Sequence, residues 1–177
     1  MYRDNTLIPT EAVRLAALGQ LMAGELPYGT LAADIRHIVA RLVGPSLDLL
    51  GSSLELLRVE GLIEPVSGEA VEQDTDLRIT ADGRRMFESL MASAVRMPMN
   101  DVSRLVIALK LNYLAHLPAE ARRHQLEVLI ELFEGDLNRL RDLQNGLSGG
   151  DLADWLALDI RQTEQRLDWL RARLNAS

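Results

Sequence analysis

The chain has 177 residues, of which 47% are hydrophobic and 25% charged; its net charge is −7 and it contains no cysteine. This length suits one large domain or two small ones with a real core, and the composition excludes a disordered chain. Without cysteine there is no disulfide framework, thiolate nucleophile or zinc–thiolate site, and no apolar run nears the ~20 residues that span a bilayer.

In chain order, Thr10 after Pro9 is the expected N-cap of a first helix carrying Val13, Leu15, Ala16, Leu18, Leu21 and Met22, ending near Gly24. Pro27-Tyr28-Gly29 makes a turn. A second helix is expected from Thr30 to Val43, with Leu31, Ile35, Ile38 and Leu42 at core spacing. Gly44-Pro45 stops it. Ser46 or Asp48 caps a third helix with Leu50, Leu54 and Leu57 inward and Gly51, Ser52, Glu55 and Arg58 on or near the outward face. Leu62 to Val66 and Leu77 to Thr80 are short strand candidates around a polar tip, Ser67 to Asp76, and Thr80 caps a fourth helix with Met86, Phe87, Leu90, Met91 and Ala94. Three helices followed by a two-stranded wing make a winged helix-turn-helix.

Met97-Pro98-Met99-Asn100 breaks the helical pattern and sets the expected domain boundary: residues 1–97 as the winged domain with a linker helix, residues 98–177 as an all-helical dimerisation domain. The second part begins with a helix from Asp101 to His116. Pro118 then opens a long helix with Leu126, Ile130, Phe133, Leu137 and Leu140, and Asn145 to Gly150 is a loop. The last helix places Leu156, Ile160, Thr163, Leu167, Leu170 and Leu174 at alternating spacings of four and three, a coiled-coil-like seam. We expect a homodimer through Leu156, Ile160, Leu167, Trp169, Leu170 and Leu174; the alternative use of the seam is an intramolecular bundle. No signal-peptide pattern occupies residues 1–30, and the cytoplasm is the expected location.

Charge is unevenly spread. Residues 1–95 hold eight arginines against fourteen acids, and residues 96–177 eleven basic against twelve acidic groups, so the winged half carries −6 and the helical half −1. DNA affinity rests mainly on neutralising phosphates, which this balance opposes unless a few cations are well placed.

Three segments together resemble the PadR-like transcriptional regulators with a long helical C-terminal domain. They are Leu57-Arg58-Val59-Glu60-Gly61-Leu62-Ile63, then Leu77-Arg78-Ile79-Thr80-Ala81-Asp82-Gly83-Arg84-Arg85, and Leu117-Pro118-Ala119-Glu120 with Glu164-Gln165-Arg166-Leu167-Asp168-Trp169-Leu170. The likeness extends over most of residues 8–174. It implies a dimeric repressor on a palindromic operator, released when a ligand or partner changes the angle between two winged domains. The family usually carries a Tyr-Pro pair in its recognition helix where this chain has Gly51 and Ser52, and basic residues at the wing tip where this chain has Glu69, Glu72, Asp74 and Asp76.

On this reading Ser52, Ser53, Glu55 and Arg58 face the bases, Gly51 lets the backbone approach a phosphate, and Arg36, Arg41, Arg78 and Arg84 are the available phosphate contacts. Trp155, Trp169, Tyr113, Phe133, Met86, Met91, Met97 and Met99 are available to line an effector pocket, though residues at such spacing are usually core. No cofactor or metal is expected. Glu120, His124, Glu127, Glu131 and Glu134 share one helix with Arg122 and Arg123, the pattern of an exposed salt-bridged face, and His37, His116 and His124 have no paired nucleophile. Catalysis is therefore not expected. The alternative to DNA binding is a winged-helix protein that has lost it and binds another protein through its acidic N-terminal half.

Overall fold

The computed structural model describes residues 6–42, 50–67 and 72–176, and for residues 50–52 the backbone alone. Seven α-helices and three short strands are found there. By compactness the chain divides into two units, Met1–Leu117 and Pro118–Ser177.

The first unit is built round α1 (Pro9–Leu21), whose Ala12, Val13, Leu15, Ala16, Ala17, Leu18 and Leu21 are all buried. A helix apolar on nearly every side has to sit in the centre, and α2 (Tyr28–Leu42), α3 (Leu50–Val59), α4 (Ala81–Ala92) and α5 (Asp101–Tyr113) all pack on it. Thr10 is not its cap. Ile8 holds that position with Pro9 in the first turn, and the Ile8 N–H donates to Glu11 Oε2 at 2.9 Å. In α2 the inward residues are Leu31, Ile35 and Val39, while Ile38 is half-buried and Leu42 exposed. The caps expected at Ser46 and Asp48 lie outside the described residues.

Helix α3 ends in a tight reversal. Gly61 takes φ +70°, its N–H donates to the Arg58 carbonyl at 3.0 Å, and the Leu62 N–H donates to Leu57 at 2.9 Å. Glycine enters this left-handed conformation without a Cβ penalty, and the two bonds satisfy carbonyls at the helix end. The chain then runs into β2 (Ile63–Pro65), which pairs antiparallel with β3 (Asp76–Ile79), Glu64 opposite Arg78. Leu77 and Ile79 point into the core and Asp76 and Arg78 out of it, as the two-residue period requires. A third strand, β1 (Leu26–Pro27), pairs with the other edge of β3 and gives the order β1-β3-β2. The segment expected to be a plain turn is therefore part of the sheet.

Thr80 caps α4 as expected: its Oγ1 accepts from the Gly83 N–H at 3.0 Å. Asn100 caps α5 in the same manner, accepting from Ser103 N–H at 2.9 Å. Helix α5 corrects the expected boundary. Its Leu105, Val106, Leu109 and Tyr113 are buried, and the Tyr113 hydroxyl donates to the Ala16 carbonyl of α1 at 3.1 Å. The Tyr113 ring also packs edge-on against Phe87 of α4, centroids 6.3 Å apart. The helix expected to open the second domain is thus part of the first unit, which continues to Leu117.

The second unit is an antiparallel hairpin of α6 (Ala119–Asn145) and α7 (Asp151–Asn175). Gly149 and Gly150, at φ +104° and +98°, make the reversal between them. Leu126, Leu129, Phe133 and Leu137 of α6 meet the buried Leu156, Ile160, Leu167 and Leu170 of α7. Arg141 donates to Glu164 at 2.6 Å and Arg171 to Glu134 at 2.7 Å along one side of the hairpin.

Candidate nucleic-acid interface

Helix α3 and the β2–β3 wing form the surface by which a winged helix-turn-helix meets DNA. Leu54 and Leu57 anchor α3 to the core, so Glu55 and Arg58 are turned to solvent. Ser53 is not a surface residue. It is only 7% exposed, because it shares the buried side of the helix with Leu57 one turn later. This removes it from the set of base readers. Gly51 and Ser52 are described by their backbone alone, and the wing-tip segment 68–71 with Glu69 lies outside the described residues.

Two of the cations, Arg58 and Arg78, are already engaged. Arg58 grips Glu55 with two nitrogens, Nη2 to Oε1 at 2.5 Å and Nε to Oε2 at 3.2 Å. The hydrogen bond from Arg58 holds the Glu55 carboxyl below the usual range, and the same bond raises Arg58. On the wing, the directly opposed Arg78 and Glu64 pair at 2.8 Å. Arg84 is exposed with one nitrogen 3.6 Å from the Met22 sulfur, and Arg36 and Arg41 are exposed on α2. Exposed pairs of this sort are worth little in stability. Their consequence is chemical: to reach guanine or phosphate from this surface, Arg58 and Arg78 must first leave a carboxylate.

Acidic groups border the same surface. Tyr28, Glu55, Glu72, Gln73 and Asp74 line an open groove between the start of α2, α3 and the wing. The α2 N-terminus is tied to the wing there, Tyr28 N–H donating to Thr75 at 2.9 Å and Gly29 N–H to Gln73 at 2.8 Å. Two exposed apolar residues on α3 escaped the sequence reading, Leu56 at 48% and Val59 at 72%. Val59 is four residues after Glu55, and that helical spacing alone would have placed it outward.

The residues expected in a dimer seam lie elsewhere, and their burial is spent within the hairpin. Leu156, Ile160, Leu167 and Leu170 are buried against α6, Leu174 is half-buried, and of the six only Trp169 is exposed. The aromatic and methionine side chains considered for an effector pocket are also dispersed. Tyr113 and Met91 sit in the core of the first unit, Phe133 in that of the second, and Trp155 is exposed. Along α6, Arg123 pairs with Glu127 at 3.4 Å and Glu134 with Arg171, and among the described residues no group of His, Asp and Glu is placed to hold a metal ion.

Residues 2–173 match the family described as "Putative AphA-like transcriptional regulator". No curated protein matches the sequence. Similar solved structures include Bacillus subtilis PadR in complex with operator DNA, 14% identical with a TM-score of 0.41, covering 96% of this chain and all of that one. The same regulator in complex with p-coumaric acid is 15% identical, TM-score 0.42, covering 96% and 97%. A PadR-like transcriptional regulator from Bacillus cereus is 21% identical, TM-score 0.37, covering 93% and 96%. No helix among the described residues is long and apolar enough to cross a membrane. The chain belongs to the family of putative AphA-like transcriptional regulators.

Proposed function

We propose that this regulator is a homodimer that binds double-stranded DNA at a palindromic operator, acts there as a repressor and releases the site in response to a small-molecule or protein effector. The observation that carries the reading is the helix–wing frame: α3 is anchored by Leu54 and Leu57 with Glu55 and Arg58 turned outward, beside a wing braced from both sides of β3. Arg58 and Ser52 then read base edges in the major groove, Gly51 lets the helix approach the backbone closely, and Arg36, Arg41, Arg78 and Arg84 meet phosphates. Two-fold symmetry sets half-sites roughly 34–36 Å apart or a multiple of that. Engaged cations and an acidic groove make nonspecific binding weak.

Variants of the Glu55–Arg58 pair test this reading through operator affinity, measured by fluorescence anisotropy. Arg58→Ala is expected to weaken binding by about tenfold to a hundredfold, the cost of one lost bidentate base contact. Glu55→Gln is expected to strengthen it by about threefold to tenfold at low salt, because Arg58 is released and a negative charge leaves the interface. A fall in affinity for Glu55→Gln would instead assign Glu55 as a direct acceptor from cytosine. A second reading has one observation in its favour, the acidic groove of Glu55, Glu72 and Asp74. There the winged half would bind a basic protein surface in place of DNA.

A further inference from the structure

Seen down the axis of α3, Glu55, Leu56 and Val59 share one side and the buried Ser53, Leu54 and Leu57 the other, as about 100° per residue requires. Leu56 is 48% and Val59 72% exposed, so the side turned away from the core presents two alkyl groups and one carboxylate. Arg58, at the flank, is held by that carboxylate. A single exposed leucine is ordinary on a protein surface. Two alkyl groups on the outward side of the helix that a winged helix-turn-helix lays in the major groove meet a defined chemical environment.

Base edges in that groove present acceptors and amino donors, and thymine alone adds an apolar group, its C5-methyl. An alkyl side chain set against any other edge leaves a desolvated donor or acceptor unpaired. Leu56 and Val59 are separated by roughly 4.5 Å along the helix, little more than one base-pair step of about 3.4 Å. The two side chains therefore match methyls on neighbouring base pairs. Glu55 beside them is complementary to the cytosine N4 amino group, so all three favour pyrimidines. A protein partner is a poorer occupant, since two aliphatic side chains cover a small part of the about 800 Å² that each partner contributes to a standard interface.

We propose that Leu56 and Val59 are thymine readers, each packing its alkyl group on a C5-methyl in the operator half-site. The inference rests on the DNA binding proposed above and adds the base that this helix selects. It gives sequence preference to side chains that carry no charge, on a surface whose Arg58 and Arg78 are held by carboxylates. Burying one methyl is worth about fourfold in affinity.

The test uses the operator duplex recovered by genomic selection with the purified protein, synthesised once with thymidine and once with deoxyuridine. Deoxyuridine lacks the methyl and keeps every hydrogen-bonding group. Fluorescence anisotropy should show the deoxyuridine duplex bound about tenfold or more weakly by the parent, the sum of at least one methyl in each half-site. Replacing one thymine at a time should place the loss on one or two neighbouring positions per half-site. The double variant Leu56→Ala/Val59→Ala should bind both duplexes alike, within about twofold, closing the cycle between side chain and methyl. Both side chains are exposed, and unchanged circular dichroism separates lost recognition from lost folding. A parent that binds the two duplexes equally overturns thymine reading and leaves DNA binding standing. A deoxyuridine loss that persists in the double variant assigns the methyls to other residues and overturns the role of Leu56 and Val59. If selection recovers no duplex even at low salt, the DNA reading falls and this inference with it.

Discussion

Replacing Gly83 by alanine is expected to destabilise the winged unit by about 3 kcal/mol, the upper range for overpacking a tight site. A Cβ at Gly83 would stand 2.1 Å from the Leu62 carbonyl oxygen and 2.7 Å from Ile79 Cγ1. Neither neighbour can give way easily. The Leu62 carbonyl accepts from both Thr80 N–H and Thr80 Oγ1 at 3.1 Å, and Ile79 is the buried end of β3. The contact lies where the end of α3, the root of the wing and the start of α4 converge, so α4 must retreat or the wing must lose its anchor. Urea unfolding followed by circular dichroism measures the effect. A midpoint unchanged within error would show that α4 slides away without cost.

Stability of the same unit should climb by about 2–3 kcal/mol between pH 8 and pH 10 and then fall. The rise comes from Lys110, the only lysine, which is buried in α5 with its ammonium donating to the Met91 carbonyl near the end of α4. Burial lowers its pKa from 10.5 to about 8. Between those values the unfolded chain holds a proton that the folded chain has released, and stability then increases with pH. The full difference of 2.5 pH units corresponds to about 3 kcal/mol. Tyr113 acts in the opposite sense above pH 10. Burial pushes its hydroxyl from 10.0 up to about 12, so the unfolded chain ionises first and stability declines. Lys110→Met should remove the rise and keep the decline, and denaturant titrations across that pH range would show it. A rise that persists in Lys110→Met would place its origin elsewhere.

Local signals in the sequence were mostly sound where the cause was local, although the cap expected at Thr10 falls on Ile8. The Thr80 cap and the short strand that ends on it depend on a few adjacent residues, and each was readable. What depended on distant partners was not. The period of Leu156, Ile160, Leu167 and Leu170 defines a packing face but is the same whether the partner is α6 or another chain. Ser53 looked like a surface residue by type, yet its angle on α3 turns it inward. Met97-Pro98 breaks a helix without ending a unit, since α5 folds back on α1. Leu26–Pro27 is too short to show a strand period at all. Of the charge pairs at the candidate interface, Glu55 with Arg58 follows from helical spacing, whereas Glu64 with Arg78 needed the strand register.

Whether the helix–wing surface binds operator DNA is decided by selecting fragments of the source genome with the purified protein while elution is followed against salt. The expected result is enrichment of a palindromic site whose affinity falls steeply with salt, and weakened binding of that site in Arg58→Ala without loss of the dimer. A folded dimer that enriches no sequence even at low salt would contradict it, and would leave the acidic groove beside α3 as the surface for a basic protein partner.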